Sequence, residues 1–406
     1  MKLSVVDLLD KDTLESFSQV DRRTYQACVP AKFRVVSLPH YQALERFLET
    51  VPSDYLSYIE ELDLSTIDDP NALTSTPVEG SLDKSIVAPF PYLINLRDLK
   101  ISNCGDENAA PLCVRSERLA VAIAASIPAL ENLSLDNISR SVCHADDLIC
   151  NPDIPVVVGD EDIPDHPILG SELALPSLLR IPSLRKLALR DTHLGDERWT
   201  TTPVACRLEV LDLGSYVHAD EDFNSMCTQR IMSAVGPSVD EFSLATTVSD
   251  NLFAKSTDTP LRRLRKLHIS PFFPVDSVVD TVSNLAGSPI ESLSLQCFEE
   301  DVVDVCSALE GFLSIRVERG PQFFDKLKRI DVTVTTNEDA AMGPTLEESE
   351  ERAVATERLQ SFCRDLHLSS AVVDAPSPDS KPIGTVAGGS TSFTDAKRFP
   401  TRSMTI

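Results

Sequence analysis

The chain has 406 residues, 42% of them hydrophobic, enough apolar material for a core larger than that of a single small domain. Its 37 Lys+Arg stand against 63 Asp+Glu, a formal net charge of -26. Such a surface repels phosphate backbones and anionic lipid, which excludes nucleic acid and membrane partners and leaves proteins, basic ones included.

The N-terminus, "MKLSVVDLLDKDTLESF", carries Asp7, Asp10 and Asp12 where a secretion signal needs an apolar run. No stretch approaches the ~18 to 20 apolar residues of a membrane span. The ten cysteines are scattered without a CxxC pair, so reduced, buried thiols in a cytoplasmic or nuclear protein are expected. Residues 1–38 read as two short helices broken near Asp10–Asp12, with Asp12 or Thr13 as N-cap and Leu14, Phe17, Val20 and Tyr25 as the apolar positions. "FRVVSL" (Phe33–Leu38) follows as a strand.

From residue 39 to 345 one pattern returns: apolar, two residues, apolar, one residue, apolar. It appears as "IEELDL" from Ile59, "LRDLKI" from Leu96, "LENLSL" from Leu130, "LRKLAL" from Leu184 and "LEVLDL" from Leu208. It continues as "VDEFSL" from Val239, "LRKLHI" from Leu264, "IESLSL" from Ile290 and "LKRIDV" from Leu327. The spacings are 37, 34, 54, 24, 31, 25, 26 and 37 residues, several within the ~20 to 29 of leucine-rich repeats. Each "ELDLS"-type core alternates like a strand, leucines to one side and polar residues to the other. A single repeat cannot bury its leucines alone; stacked repeats can.

The expected fold is therefore α/β: a leucine-rich-repeat solenoid, or horseshoe, with a parallel sheet on its concave face. Return segments such as "ERLAVAIAASIPAL" (Glu117–Leu130) and "SVVDTVSNLAGSPI" (Ser277–Ile290) carry helical apolar spacing and stop at Pro or Gly. The Asn that follows the strand in regular repeats is mostly missing, Asn103 and Asn137 coming nearest, so the array is divergent.

An acidic, Pro-rich insert at 143–171 occupies the longest gap and reads as a loop; a tenth repeat around "LLRIPSL" is the alternative. Residues 346–373 place Leu359, Phe362, Cys363 and Leu366 on one helical face, as a C-terminal capping helix would. Residues 374–406 have the Pro/Gly/Ser/Thr composition of a disordered tail.

The usual catalytic motifs are missing: no GxSxG elbow, HExxH, Walker A loop or dinucleotide fingerprint occurs. Cys143, His144 and Cys150 lack the four regularly spaced ligands of a zinc site. No enzyme, metal or cofactor is expected. The outward strand positions make up a candidate partner-binding face: Asp63, Asp98, Lys100, Asn132, Asp136, Lys186, Arg190, Asp212, Glu241, Lys266, His268, Gln296, Arg329 and Asp331. Lys186 and Arg190 form its basic middle, and His268 reads as a solvated surface residue.

The N-terminal segment resembles the second half of an F-box. Leu9 ends a first helix, "DKDTL" leads into a second, and Val20, Arg22, Arg23 and Tyr25 follow in the family's order. "FRVVSL" and "LERFLETVPSDYLSYIEELDLS" (Leu44–Ser65) are similar to the passage from F-box to repeats in fungal F-box proteins with divergent leucine-rich repeats. The resemblance implies the substrate-recruiting subunit of a cullin-type (SCF) ubiquitin ligase, acting in ubiquitin-dependent protein degradation. Leu9, Leu14, Phe17, Val20 and Tyr25 would dock a Skp-type adaptor, and the horseshoe would hold a protein target. The family's opening helix, introduced by Leu-Pro with a nearby Glu, has no counterpart in "MKLSVVDLL". A shortened first helix, a missing start and lost adaptor binding are the three explanations. A repeat scaffold without adaptor binding is the alternative function.

Overall fold

The structure is a computed structural model. It describes residues 5–65, 87–102, 116–138, 140–141, 156–157, 174–216, 219–246, 261–271, 273–285, 287–320, 323–335, 354–355 and 357–358. These fall into two compact units. The first lies within Met1–Leu208 and Tyr216–Asp220, the second within Glu209–Ser215 and Glu221–Ala396.

The first unit opens with a 3-10 turn, Val5–Leu8, and two helices, α1 (Lys11–Ser18) and α2 (Arg22–Lys32). Asp10 is the N-cap of α1, accepting from the Thr13 amide at 2.8 Å, so the cap sits two or three residues earlier than the sequence suggests. A second break falls at Gln19–Asp21. There Asp21 and Thr24 close a capping box, the Asp21 carboxylate accepting from the Thr24 amide and the Thr24 hydroxyl oxygen from the Asp21 amide. Strand β1 (Val35–Leu38) follows, then α3 (Tyr41–Thr50) and α4 (Ser53–Leu56).

Next come β2 (Glu61–Ser65), β3 (Asp98–Ser102), helix α5 (Ser116–Ser126) and β4 (Asn132–Ile138). Two-residue strands β5 (Arg140–Ser141) and β6 (Val156–Val157) pair in parallel, the only described part of the acidic insert being Val156–Val157. Strand β7 (Lys186–Thr192) completes an order β1-β2-β3-β4-β7, every neighbour parallel. "LLRIPSL" forms no strand: Leu175–Arg180 is a 3-10 turn.

The second unit repeats the scheme with β8 (Val210–Leu213), α6 (Glu221–Val235), β9 (Glu241–Leu244), β10 (Lys266–Ile269) and α7 (Val278–Asn284). Strand β11 (Ser292–Phe298), α8 (Val302–Arg319) and β12 (Arg329–Thr335) complete it. Its strands run in the order β8-β9-β10-β11-β12, again parallel throughout. All nine pattern matches thus end in a parallel strand, and "FRVVSL" supplies a tenth ahead of them.

The register explains the pattern. The first apolar residue of each match, from Ile59 and Leu96 to Ile290 and Leu327, is buried before the strand begins. The two strand leucines of each repeat stack on their neighbours: Leu62 on Leu99 and Leu133, Leu211 on Phe242, Leu267 on Leu293 and Ile330. Each removes roughly 1.5–3 kcal/mol worth of apolar surface from water, but only because the next repeat lies over it.

Between the first two pattern positions the chain places a charge, and these charges line up. In the first unit the residue before the strand is Arg34, Glu60, Arg97, Glu131, Arg185, with strict alternation of sign. The carbonyls of Arg34, Glu60, Arg97 and Glu131 each accept from two successive amides of the next repeat; the Arg97 carbonyl takes Glu131 N–H at 2.8 Å and Asn132 N–H at 2.9 Å. The backbone brings the side chains together, and Arg97 and Glu131 pair at 3.5 Å. In the second unit the row reads Glu209, Asp240, Arg265, Glu291, Lys328, with Lys328–Glu291 at 2.8 Å.

Asn137 and Asp191, opposite each other at the ends of β4 and β7, both have left-handed backbones, with φ of 53° and 40°. Asn and Asp tolerate that region better than other residues with a Cβ, which is why the strands turn there together.

Of the expected capping helix 346–373, residues 354–355 and 357–358 are described and helical. Ala355 is buried, and Arg358 pairs with Glu310 on α8 at 2.8 Å. The remainder of that segment and the tail 374–406 lie outside the described residues. Among the described residues no helix is long and apolar enough to cross a membrane.

Candidate functional site

Two surfaces carry the residues singled out by sequence. On the N-terminal helices the five expected adaptor contacts separate into two groups. Leu14 is buried, packed with Cys28 and Ala31 of α2, and Leu9 and Val6 lean against the same cluster. Leu14 is therefore a correction: its side chain holds α1 to α2 and is not available to a partner. Phe17, Val20 and Tyr25 face outward, Val20 at 67% exposure, and Leu8 joins them at 73%. Leu8 is the residue that sequence reading passed over; its position beside Leu9 in an apolar pair was the available signal.

The hairpin is fixed from several sides. Lys32 Nζ donates to Ser18 Oγ at 3.2 Å and stands 5.7 Å from the centre of the Tyr25 ring. Phe33, at the end of α2, packs against Phe47 of α3 and Tyr55 of α4, anchoring the helices to the first repeats.

The second surface is the polar side of the strands. In the first unit its rows run Glu61, Asp98, Asn132, Lys186 and Asp63, Lys100, Ser134, Ala188, with Asp136 beside Arg190. Lys100 pairs with Asp63 at 3.9 Å, and the Asn132 amide donates to the Asp98 carboxylate. Burial pushes the Asp98 carboxyl above its ordinary range, with Glu131 adding to it, against the opposing Asn132 hydrogen bond. At the basic middle expected at Lys186 and Arg190, Lys186 is half-buried and Arg190 exposed, each with an interaction within the protein, and Ala188 between them is buried.

In the second unit the expectation of an open face fails at three positions. Asp212, Glu241 and His268 are all buried, as is Ser243 between Asp212 and His268. His268 is thus not a solvated surface residue. Its Nε2 lies 3.1 Å from Glu241 Oε1, and Lys266 Nζ donates to Glu241 Oε2 at 3.1 Å. Burial opposes ionisation of Glu241, but the hydrogen bonds and charges of His268 and Lys266 outweigh it and hold the carboxyl below its usual range. The His268 Nδ1 atom is buried without a hydrogen-bond partner among the described residues. Toward β12 the face opens: Gln296 and Asp331 are half-buried and Arg329 exposed, with Arg329 paired to Asp331.

The charges are matched in pairs across neighbouring strands, which fixes side chains in place and leaves a mixed polar surface on rigid backbone. Among the described residues no three or more His, Cys, Asp or Glu side chains converge as a metal site would require. The described cysteines, Cys28, Cys206, Cys227, Cys297 and Cys306, are free and buried. Burial pushes the Cys206 thiol up to about 11 and those of Cys227 and Cys297 up to about 12, so these three are not ready nucleophiles at neutral pH. Compared with models of known families and with curated proteins, the sequence matches none.

Proposed function

We propose that the chain is a non-enzymatic protein-interaction module: a divergent leucine-rich-repeat horseshoe carrying a short F-box-like helical hairpin. In this reading the hairpin docks a Skp-type adaptor of a cullin-type ubiquitin ligase, and the polar strand face holds a protein target. The chain supplies proximity and orientation, and a separate transferase supplies the chemistry. The observation that supports it is the exposure of Phe17, Val20 and Tyr25 on the hairpin, since large apolar side chains held out of the core are candidates for a protein contact. Such a role belongs in the cytoplasm or nucleus.

The test is co-purification with a recombinant Skp-type adaptor. The wild-type chain should retain it, Phe17→Ser with Val20→Asp should lose it, and the melting temperature of that variant should stay at the wild-type value. An adaptor that fails to bind the folded wild-type chain would sink the ligase role. The second reading, a repeat scaffold whose hairpin serves only as an N-terminal cap, is favoured by the burial of Leu14 with Cys28 and Ala31. Capping alone explains that cluster, but it leaves the outward Phe17 and Val20 without a purpose.

A further inference from the structure

The approach to the last three strands of the second unit has the opposite sign to the protein as a whole. Residues 261–266 hold four cations and no acid, and residues 316–329 hold five cations and two acids, in a chain of net charge -26. Strand β10 is entered through Arg263, Arg265 and Lys266, and β12 through Lys326, Lys328 and Arg329. Between them β11 is entered through Pro289, Glu291 and Ser292, with a single acid. Parallel register sets these residues level. Lys266 lies opposite Ser292 and Ser292 opposite Arg329, while the Arg265 and Glu291 carbonyls each accept from the following repeat. The two cationic entries are thus two strand spacings apart, about 10 Å, with Glu291 between them.

Part of this charge is matched inside the sheet. Arg263 pairs with Asp240 at 2.9 Å and Lys266 with Glu241 at 3.1 Å, both toward β9. Lys328 pairs with Glu291 at 2.8 Å, and Arg329 with Asp331. Arg265 and Lys326 are exposed and are left to share the acid that Lys328 holds. The Lys328 hydrogen bond and charge keep the Glu291 carboxyl below its usual range, and Arg265 and Lys326 add to them. One acid therefore answers three cations. Arg319, exposed at the end of α8, stands 5.0 Å from the Phe323 ring on the same turn into β12. Asp325, exposed beside Lys326, is the other acid there.

The extent of the rim selects what can meet it. At physiological salt a charge is felt over about 8 Å, so these cations reach only what lies directly on them. A nucleic acid carries its charge far beyond that distance and meets the acids of the remaining surface. A short acidic stretch of protein does not: three or four extended residues span the roughly 10 Å between the two cationic entries.

We propose that the strand-entry rim of the second unit, over β11 between Arg265 and Lys326, binds an Asp/Glu-rich segment of a protein partner. This rests on the reading of the chain as a protein-interaction module and not on adaptor binding by the hairpin.

The experiment follows the fluorescence anisotropy of a labelled Asp/Glu peptide titrated with the full chain at low salt. Saturable binding is expected, with a Lys peptide left unbound. Arg265→Glu with Lys326→Glu should weaken it about tenfold at an unchanged melting temperature, as reversal of two surface charge contacts would. Glu291→Gln, which removes the acid between them, should tighten it about threefold. Arg22→Glu with Arg23→Glu makes the same change in net charge on α2 and should leave binding within about twofold of wild type. Co-purification of the adaptor with the Arg265→Glu, Lys326→Glu chain should match wild type, which separates failure here from failure of the ligase reading. A peptide that does not bind, or that binds both double variants equally, overturns the proposal. So does duplex DNA binding as tightly as the peptide, or a wild-type dimer in sedimentation that the Arg265→Glu, Lys326→Glu change dissolves.

Discussion

Glu241 and His268 meet because parallel pairing sets Glu241 opposite Lys266, and the His268 ring reaches back two residues along β10 to the same carboxylate. Folding therefore lowers the proton affinity of Glu241 relative to the unfolded chain. Its stabilising contribution is complete above the ordinary glutamate pKa of 4.5 and is lost as pH falls through the lower folded value. Glu241→Gln should lower stability at pH 7 by about 1–2 kcal/mol, a figure reduced for the partial exposure of Lys266. Thermal melts of both proteins should differ at pH 7, and the gap should narrow as pH falls below 4.5. A gap of constant size across that range would show that Glu241 acts through packing rather than charge. Neither the burial of Glu241 nor that of His268 was legible in "VDEFSL" and "LRKLHI", because alternation tells which side of a strand a residue occupies and not what covers that side.

At the level of elements, the N-terminal hairpin separates residues that the proposed resemblance to an F-box treats alike. Leu14 and Val20 are both apolar positions of the N-terminal helices, yet one is core and the other surface. Leu14→Ala should destabilise the hairpin by about 2–3 kcal/mol, seen as faster amide exchange over residues 11–32. Val20→Ser should leave that exchange within error of wild type. Equal effects at the two sites would mean that the α1–α2 packing is wrong. The charge row tests the repeat contacts in the same way. Glu131→Lys puts a third cation between Arg97 and Arg185, whose backbones bond to the same ladder. It should cost about 0.5–1 kcal/mol, more than Glu131→Gln, and the excess should fade in high salt. That row was written in the sequence, as a charged second residue in all nine matches. It gains meaning only when the register sets those residues side by side.

For the molecule as a whole, the net charge of -26 is spread over a surface whose visible ion pairs are local. Unpaired acids repel one another in the compact state, and salt screens them over a Debye length of roughly 8–10 Å. The melting temperature should rise between about 20 and 300 mM NaCl. A fall would mean that the matched pairs, Lys328–Glu291 and Arg263–Asp240 among them, contribute more than the repulsion does.

The amino-acid sequence by itself determined the strand positions, the parallel α/β class and the polarity of each strand face, since a leucine every second residue with no way to bury itself alone forces stacking in sequence order. It also determined that two short helices precede the array, through their apolar spacing, although their caps fall at Asp10 and Asp21 rather than at Asp12 or Thr13. Tertiary structure alone decided which polar positions are open. Asp63 and Asp212 hold the same place in "ELDLS" and "VLDLG", yet the first is half-buried beside Lys100 and the second is closed off. Local pattern reports side-chain direction, which a residue's own backbone sets. Exposure and ion pairing depend on what packs above and beside a strand, and those neighbours come from distant parts of the chain.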